Sequence, residues 1–445
     1  MKSRQWVMVW GMVLVVILGV LFRMGYQAQA VIPKPIKADA AQYLHIGWNM
    51  LHHGVVSMAA PSTATPPPDS YRGPGYPALV MLALQFGGEA SGEWYGRLLS
   101  IQALLGGLTA LLTVVLARYW LPTGYALAAG VLVALWPHMV TLSGYVLTET
   151  LFAFLLVLGL CLFCRGQRAA SLPWIAAAGL VFGAAALVNP MIVLFPLLLA
   201  AWLAFAQPRQ AVVLLLLAAL LPGAWAIRSA QVEAKTIVTA NGRLMENILI
   251  GMEPDFDSVY LGARAGHVAR ARVQEQLAIY RQDKAQAWEN VAQRLAQAPV
   301  FYAKWYFVAK PMLFWSWYIG QGAGDLYVYP VQHSPFEANL LYRTVAAVAG
   351  GLNPLLMLAA FAMVAVLLVR RLQGRQDAGF APLVVVALLF FYTTALHSLL
   401  APDVRYATPF RPFEILLAVS LCWFLHAAVR QARRATASQP ATPAG

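Results

Sequence analysis

Four short polar segments interrupt a sequence that is otherwise strongly hydrophobic. They read IKADAAQYLHIGWNMLHHG (36–54), YRGPGYP (71–77), SGYVLTETLF (143–152) and HSLLAPDVRYATPFRPFE (397–414). Together they supply carboxylates, which can accept a proton from a hydroxyl group. They also supply arginines, which bind phosphate through forked, charge-assisted hydrogen bonds. The four segments are therefore the candidates for a functional site.

Asp39 is the acid of the first segment. In a helix, positions 39, 43, 46 and 50 share one face, which aligns Asp39 with Tyr43, Ile46 and Met50. One interpretation is an N-cap or first-turn acid that the helix dipole stabilises. The other is a general base held at the membrane surface, where lipid and aqueous substrates meet.

Arg72 lies in the second segment, beside aromatic residues. Two glycines and two prolines predict a bent, rigid loop, because neither a helix nor a strand tolerates that composition. Arg72 either anchors this loop among lipid headgroups or binds a phosphate with its forked guanidinium. Tyr76 follows in the same loop.

Glu149 opens an apolar stretch in the third segment. A carboxylate is a poor choice for contact with lipid, so we expect Glu149 to face a water-filled cavity. Thr148 as a helix N-cap with a first-turn acid is the alternative. That alternative does not explain why Tyr145 and Glu149 share one helix face.

The fourth segment crowds five candidates between the last two apolar stretches: His397, Asp403, Arg405, Tyr406 and Arg411. Arg405 and Arg411 fall on the predicted external side of the membrane, as does Arg228 at the end of GAWAIR. Arginines on that side run against the positive-inside rule. Charges that break the rule are better candidates for function than charges that obey it.

The composition indicates which elements position these residues. Of the 445 residues, 60% are hydrophobic and 11% charged, with a mean hydropathy of +0.64, whereas soluble domains carry about 25% charged residues. The chain is therefore predicted to be an all-α polytopic membrane protein. Basic residues at cytoplasmic ends of spans explain the net charge of +13, so we predict no nucleic-acid partner.

Hydropathy predicts ten spans, with both termini in the cytoplasm and two further segments, 75–88 and 302–320, that are re-entrant or interfacial. If those two also cross, the total is about twelve. The N-terminal apolar run is interpreted as a retained first span, although AQA at 28–30 resembles a signal-peptide cleavage site. The spans fall near 6–23, 97–117, 124–141, 150–164, 172–188, 190–206, 210–227, 346–369, 380–399 and 407–428.

Motifs for nucleotide, zinc-protease and serine-hydrolase chemistry do not occur: the sequence has no P-loop, HExxH or GxSxG. His45, His52 and His53 raise the alternative of a divalent metal, but no paired carboxylate is fixed near them. No cofactor is firmly predicted, and a metal stays unsupported.

The four segments, in this order, resemble the GT-C superfamily of membrane glycosyltransferases. The motifs are D-x-x-x-Y, R-x-P-G-Y-P, S-G-Y-x-L-T-E-T-L-F and R-Y-x-x-P-x-x-P, within about 36–425. More narrowly, the chain is similar to bacterial relatives of protein O-mannosyltransferases and of the lipid A aminoarabinose transferase (glycosyltransferase families 39 and 83). It departs from the pattern at Ala40, where the mannosyltransferases have a carboxylate, and at Asn189, where many relatives have arginine.

The resemblance implies a GT-C fold of about 10–12 transmembrane helices with a small external domain. It implies a bacterial inner-membrane enzyme that modifies lipopolysaccharide or glycans, with its active site facing the periplasm. The donor would be a polyprenyl-phosphate-linked sugar, and the acceptor a hydroxyl of a lipid, glycan or protein. Asp39 would be the catalytic base, acting by inverting displacement.

The resemblance matches Arg72 to the family's contact with the donor phosphate and Glu149 to the acid of its second external loop. The chemistry of the leaving phosphate suggests that Arg405 or Arg228 joins Arg72 in stabilising its charge. Acceptor or sugar binding, or support of the site, would fall to the remaining candidates: Glu149, Tyr43, Tyr76, Tyr145, His397 and Tyr406.

The predicted organisation has four parts. They are an N-terminal transmembrane module, 1–227, with its first external loop at 24–96; an external domain, 228–345, with an interfacial helix at 302–320; C-terminal transmembrane helices, 346–429; and a disordered cytoplasmic tail, 430–445.

The alternative function is a transporter or flippase of polyprenyl-linked glycolipids. That alternative requires charged residues near the midplane of the spans, where this sequence has almost none. A non-catalytic scaffold would leave the four ordered polar segments unexplained.

Fusion of a topology reporter tests the orientation. A reporter that is active only outside the cytoplasm should be active when fused after residue 60 or 260, and silent after residue 374. Activity at 374 would overturn the orientation and remove Asp39 from the outer face.

Overall fold

The computed structural model describes residues 2–87, 92–233, 240–256, 259, 268–320, 324–374 and 379–437. The regular secondary structure of these residues is helical. Their β-structure is limited to two isolated bridges, Val31 with His333 and Gly324 with Tyr327. The predicted all-α class is confirmed.

The first half of the chain contains ten α-helices. They are α1 (Lys2–Gln29), α2 (Asp39–His53), α3 (Gly75–Gly87), α4 (Glu93–Ala117), α5 (Thr123–Leu135), α6 (Pro137–Leu142), α7 (Glu149–Ala169), α8 (Leu172–Val188), α9 (Phe195–Ala204) and α10 (Pro208–Glu233), with a 3₁₀ turn at Pro190–Ile192.

The second half has shorter helices before its last long ones. They are α11 (Ala240–Gly251), α12 (Val268–Gln282), α13 (Lys284–Gln297), α14 (Pro299–Lys304), a π-helical turn (Trp305–Ala309), α15 (Lys310–Phe314), α16 (Pro335–Ala338), α17 (Leu340–Leu372), α18 (Phe380–Leu399), α19 (Val404–Ala407), a 3₁₀ turn (Thr408–Phe410) and α20 (Arg411–Ala437).

Seven helices in the described part of the chain are long and apolar enough to cross a membrane, so the chain is a multi-pass membrane protein. All ten predicted spans fall on helices, seven of them on these long ones. The other three coincide with shorter apolar helices at Thr123–Leu135, Leu172–Val188 and Pro190–Ala204.

The third predicted span, 124–141, is two helices rather than one. Trp136 has an extended backbone, with φ −60° and ψ 116°, because a residue before proline avoids the helical region. Pro137 then starts α6, where its missing N–H costs nothing. This break turns the chain into the buried segment that precedes Glu149.

Neither ambiguous segment is long enough to cross by itself. Helix α3 has 13 residues, about 20 Å of helix against about 30 Å of hydrocarbon. The second segment is helical only from 299 to 314 and is not helical from 315 to 320. The lengths favour the re-entrant or interfacial interpretation for both.

Three predicted boundaries lie inside helices. The boundary at 227/228 falls inside α10, and that at 345/346 falls inside α17. The tail predicted to be disordered from residue 430 is helical to Ala437, and 438–445 lie outside the described residues. Hydropathy locates the apolar stretch, whereas backbone hydrogen bonding lets a helix continue beyond it into polar sequence.

Helices α11 to α13 contribute Met245, Leu249, Val273 and Leu277 to a second hydrophobic cluster, which also includes Tyr302, Trp305 and Ala401. Beside it, the buried carboxylate of Glu253 binds Arg272 at 2.5 Å and Arg294 at 2.7 Å. Burial by itself would raise the pKa of Glu253, but the two guanidiniums outweigh it and lower the pKa.

The loop 71–77 is pressed against the end of α8. A Cβ atom on Gly73 would overlap the carbonyl oxygen of Leu187, and one on Gly75 would lie 2.7 Å from the backbone nitrogen of Val188. Glycine is therefore required here by close approach of two backbones. This packing holds the backbone that directly follows Arg72.

Substitution of Gly73 tests this packing. Gly73→Ala must displace the loop, so we expect a loss of about 1–3 kcal/mol and a lower unfolding temperature in detergent. Gly124→Ala is the matched control, because a Cβ atom there meets nothing within 4 Å and alanine favours the helix. Equal unfolding temperatures for Gly73→Ala and wild type would contradict the close approach.

Candidate functional site

The four polar segments meet around one cavity of about 200 Å³. The first segment contributes Asp39 and Tyr43 to its wall, and the second contributes Arg72. The third contributes Glu149 and the fourth Arg405. The remaining lining residues are Ser70, Tyr71, Gly73, Thr148, Ala186, Val188, Asn189, Pro190, Trp225, Arg243, Tyr406 and Pro409.

Asp39 is held between two arginines. Its Oδ1 accepts a hydrogen bond from Arg72 Nη2 at 2.5 Å, and its Oδ2 accepts one from Arg405 Nη2 at 2.8 Å. Asp39 is the first residue of α2, but its side chain does not cap the helix, whose N-cap is Ala38. The carboxylate is thus engaged in ion pairing and is one-quarter exposed to the cavity.

Arg405 joins Asp39 to the second acid. Its Nε donates to Glu149 Oε1 at 2.6 Å, while its Nη2 donates to Asp39. The side chains of Arg405 and Glu149 are only 8% and 5% exposed. Asp403 fixes the backbone at this point, because its Oδ1 accepts from the Arg405 N–H at 2.7 Å and caps α19.

Arg72 uses its guanidinium in three directions. Besides the bond to Asp39, its Nε donates to Gln42 Oε1 at 2.8 Å and its Nη1 donates to the Tyr43 hydroxyl at 3.2 Å. Gln42 and Tyr43 both lie on the first turns of α2. One planar side chain therefore locks loop 71–77 to the helix that carries Asp39.

The cavity wall has an excess of positive charge. Asp39 and Glu149 balance Arg72 and Arg405, and Arg243 adds a further cation, with its guanidinium 5.4 Å from the centre of the Tyr71 ring. A wall with this balance favours an anionic occupant.

The arginines control the ionisation of Asp39. Burial by itself would raise the pKa of Asp39, but Arg405 and Arg72 outweigh it and hold the pKa well below the usual range. Burial acts to lower the pKa of Arg72, yet Tyr43 and Asp39 raise it overall. Asp39 is therefore a carboxylate throughout the neutral range, with both oxygens occupied.

Tyr76 and Tyr145 were predicted to bind acceptor or sugar or to support the site, and both make contacts behind the cavity wall. The Tyr76 hydroxyl donates to Gln102 Oε1 at 3.0 Å, and Gln102 Nε2 donates to the Tyr145 carbonyl at 2.9 Å. The Tyr145 hydroxyl donates to the Tyr329 carbonyl at 3.3 Å. This buried network fixes the turn that leads into Glu149.

His397 also lies behind the wall. Its ring stacks between those of Phe314 and Tyr406. The distances between ring centres are 4.4 Å to Phe314 and 5.5 Å to Tyr406. Its Nδ1 lies 2.9 Å from the carbonyl oxygen of Ala401. Tyr406 lines the cavity as expected, and His397 positions it.

Arg228 does not reach the cavity. Its guanidinium donates to the carbonyls of Asp69 and Val56, and it packs over the ring of Trp225. It therefore holds the loop that leads to Arg72.

Arg411 is fully buried, with Nη1 2.7 Å from Glu414 Oε2, and it also donates to the backbone carbonyls of Trp315 and Ser316.

Several lining residues escaped the sequence interpretation. Arg243 is an arginine on the predicted external side, as Arg228 and Arg405 are, so the same rule could have identified it. Tyr71 directly precedes Arg72. Trp225 and Asn189 carry no signal in the sequence that links them to the site, except that Asn189 departs from the family pattern.

The metal alternative gains no support from the histidines. His45 bonds to the Met58 carbonyl through Nδ1, and His52 and His53 pack on Trp48. Within the described ranges, no three His, Cys, Asp or Glu side chains are grouped so as to hold a metal ion.

Residues 88–232, about a third of the chain, match the family model for dolichyl-phosphate-mannose-protein mannosyltransferase. This segment contains seven residues of the cavity wall: Thr148, Glu149, Ala186, Val188, Asn189, Pro190 and Trp225. The match confirms the resemblance over that part of the sequence. No curated protein matches the chain.

Two solved structures illustrate the likeness in fold. The oligosaccharyltransferase AglB from Archaeoglobus fulgidus, in complex with an inhibitory peptide and a dolichol-phosphate, is 15% identical, with a TM-score of 0.47 over 99% of this chain and 53% of that one. ArnT from Cupriavidus metallidurans, bound to undecaprenyl phosphate, is 14% identical, with a TM-score of 0.39. The match covers 94% of this chain and 77% of the ArnT chain. The chain spans about half the length of AglB. At these identities and scores, neither likeness bears on activity.

Proposed function

We propose that the chain is a GT-C membrane glycosyltransferase. It moves a sugar from a polyprenyl-phosphate-linked donor to an acceptor hydroxyl of a lipid, glycan or protein. The observation that carries the proposal is the convergence of Asp39, Arg72, Glu149 and Arg405 on one cavity, with one of these residues, Glu149, inside the mannosyltransferase match.

The arginines suit the phosphate of such a donor. Arg72 and Arg405 approach Asp39 from two sides, so an anion bound there receives hydrogen bonds from both guanidiniums. Arg243 adds positive charge to the same wall. We assign Arg72 and Arg405 to the donor phosphate, with Arg243 taking the place that the sequence suggested for Arg228.

The reaction is a single displacement. The acceptor oxygen bonds to the anomeric carbon while the bond from that carbon to the phosphate oxygen breaks. The electron pair of the broken bond stays on the lipid phosphate, whose added charge Arg72 and Arg405 stabilise. Asp39 accepts the proton of the acceptor hydroxyl. One displacement inverts the configuration at the anomeric carbon.

Donor binding prepares Asp39 for this role. The donor phosphate and the Asp39 carboxylate compete for the same two guanidiniums. When the phosphate takes hydrogen bonds from them, Asp39 loses part of the compensation that keeps its pKa low and becomes a stronger base. Glu149 keeps Arg405 in place during the exchange, because it holds the Nε atom rather than Nη2.

An apolar groove fits the polyprenyl tail. Pro190 and Trp225 line the cavity. Val193, three residues after Pro190, and Pro222, three residues before Trp225, line a groove of about 280 Å³. Leu197 in this groove is 51% exposed. The remaining residues of the groove are apolar as well: Pro196, Leu215, Ala218, Ala219 and Gly223. The groove would hold the tail while its phosphate reaches the arginines.

The flippase alternative requires charges that handle the substrate within the spans. The fully buried charges on the candidate spans serve the fold instead. Arg23 donates to the carbonyls of Gly19 and Ala134, and Arg411 pairs with Glu414 at 2.7 Å. None of these charged residues lines the cavity at Asp39. The transferase is therefore the function that the geometry favours.

We place the reaction at the periplasmic face of a bacterial inner membrane, with both chain termini in the cytoplasm. The support is the distribution of lysine and arginine along the sequence. That orientation leaves the cavity facing the side where a polyprenyl-linked sugar meets its acceptor.

Donor binding tests the two arginines. Lysine at position 72 cannot reproduce the forked contact, so Arg72→Lys should weaken undecaprenyl phosphate binding by about tenfold or more, as measured by native mass spectrometry. Arg97→Lys is the control, since Arg97 is exposed and 3.8 Å from Glu93. Unchanged affinity in both Arg72→Ala and Arg405→Ala would remove the arginines from the donor site.

Catalysis tests Asp39. Asp39→Asn keeps the shape but cannot accept a proton, so transfer should fall by about two to four orders of magnitude while donor lipid still binds. The control is Asp283→Asn, since Asp283 is a true N-cap that accepts from Ala285 and Gln286 and asparagine caps equally well.

Near-normal transfer by Asp39→Asn at wild-type expression would exclude Asp39 as the base. Glu149→Gln would then be the next variant, since Glu149 is the other carboxylate of the cavity.

A further inference from the structure

A second basic pocket lies at the opposite end of α7 from the candidate site. It has a volume of about 520 Å³ and is lined by Val115, Arg118, Tyr119, Arg165, Arg168 and Ala169. Helix α7 begins at Glu149 and has 21 residues, about 30 Å of helix. The two sites are therefore separated by about the thickness of the hydrocarbon core of a bilayer.

The pocket concentrates positive charge. Three of its six lining residues are arginines, and none of the six is acidic. Arg118 comes from the end of α4, and Arg165 and Arg168 come from the last turns of α7. An anion in the pocket would meet guanidiniums from two helices.

Contacts with aromatic rings and backbone hold the three side chains. The Arg165 guanidinium lies 4.6 Å from the centre of the Trp174 ring, and that of Arg168 lies 5.8 Å from the centre of the Tyr119 ring. Arg118 donates to the Leu121 carbonyl. Such contacts reduce the side-chain entropy that binding would otherwise cost.

The rest of the wall suits a lipid rather than a soluble anion. Val115, Tyr119 and Ala169 are apolar or aromatic, and Val115 is 37% exposed on a helix that can cross the membrane. A lipid headgroup would place its phosphate among the arginines and its chains along the exposed surface of α4. A soluble anion has no use for that surface.

We propose that this pocket binds the headgroup of an anionic glycerophospholipid, in the leaflet opposite the candidate active site. The assignment rests on the charge, the apolar wall and the membrane depth of the pocket, and it does not depend on the transferase activity.

Native mass spectrometry of the full-length protein provides the test, with phosphatidylglycerol compared against phosphatidylcholine. We expect preferential binding of phosphatidylglycerol, weakened by about fivefold for each arginine removed in Arg118→Gln, Arg165→Gln and Arg168→Gln. Arg371→Gln is the control, because Arg371 also packs on an aromatic ring, Trp202, outside this pocket. A triple variant that keeps the preference, or a control that loses as much as each pocket variant, would overturn the site.

Two further ligands distinguish the source of the phosphate. Displacement of phosphatidylglycerol by millimolar inorganic phosphate would overturn the lipid assignment. If the wild-type protein binds undecaprenyl phosphate and the triple variant does not, the lipid assignment is also overturned, because the pocket would then serve the polyprenyl carrier.

Labelling of the wild-type protein covers the case in which the arginine variants fail to fold. A photoreactive phosphatidylglycerol should label peptides near 115–121 and 165–174. Labelling confined to other parts of the chain would overturn the proposal.

Discussion

The guanidinium of Arg405 touches two carboxylates that are far apart in the sequence, Asp39 and Glu149, at 2.8 and 2.6 Å. Arg405 and Glu149 are almost fully buried, and an unpaired charge in such a position costs about 3–5 kcal/mol. The start of α2, the start of α7 and the segment before α20 must therefore meet at one point. Arg72, in the loop 71–77, completes the network by donating to the other oxygen of Asp39, Oδ1.

The surrounding fold is arranged to hold this network rigid. Gly73 and Gly75 let the loop of Arg72 lie directly against the end of α8. Gln102 ties Tyr76 to the turn before Glu149, and the Asp403 cap orients Arg405. Rigid placement matters for the proposed reaction, because groups that stabilise a developing charge act best when they need no rearrangement.

The sequence predicted the membrane class, and its ten predicted spans all fall on helical sequence, because long apolar stretches have few alternatives to a helix in lipid. Seven of them fall on helices that are long enough to cross, and the third is broken in two at Pro137. It also predicted that Asp39, Arg72, Glu149 and Arg405 form one site, since acids and arginines at predicted external edges are hard to explain otherwise. It did not predict their pairing, which depends on contacts between distant segments. For the same reason the sequence could not decide whether Tyr76, Tyr145 and His397 bind substrate or support the wall, and it pointed to Arg228 rather than Arg243.

The account requires the arginine pair to exchange the Asp39 carboxylate for a donor phosphate. The most direct measurement is a structure determined by electron cryo-microscopy with undecaprenyl phosphate bound. We predict a phosphate contacting the guanidiniums of both Arg72 and Arg405, with at least one of the two Asp39 ion pairs opened and the Arg405–Glu149 pair retained. A lipid phosphate bound elsewhere, with Asp39 still paired to both arginines, would contradict the account.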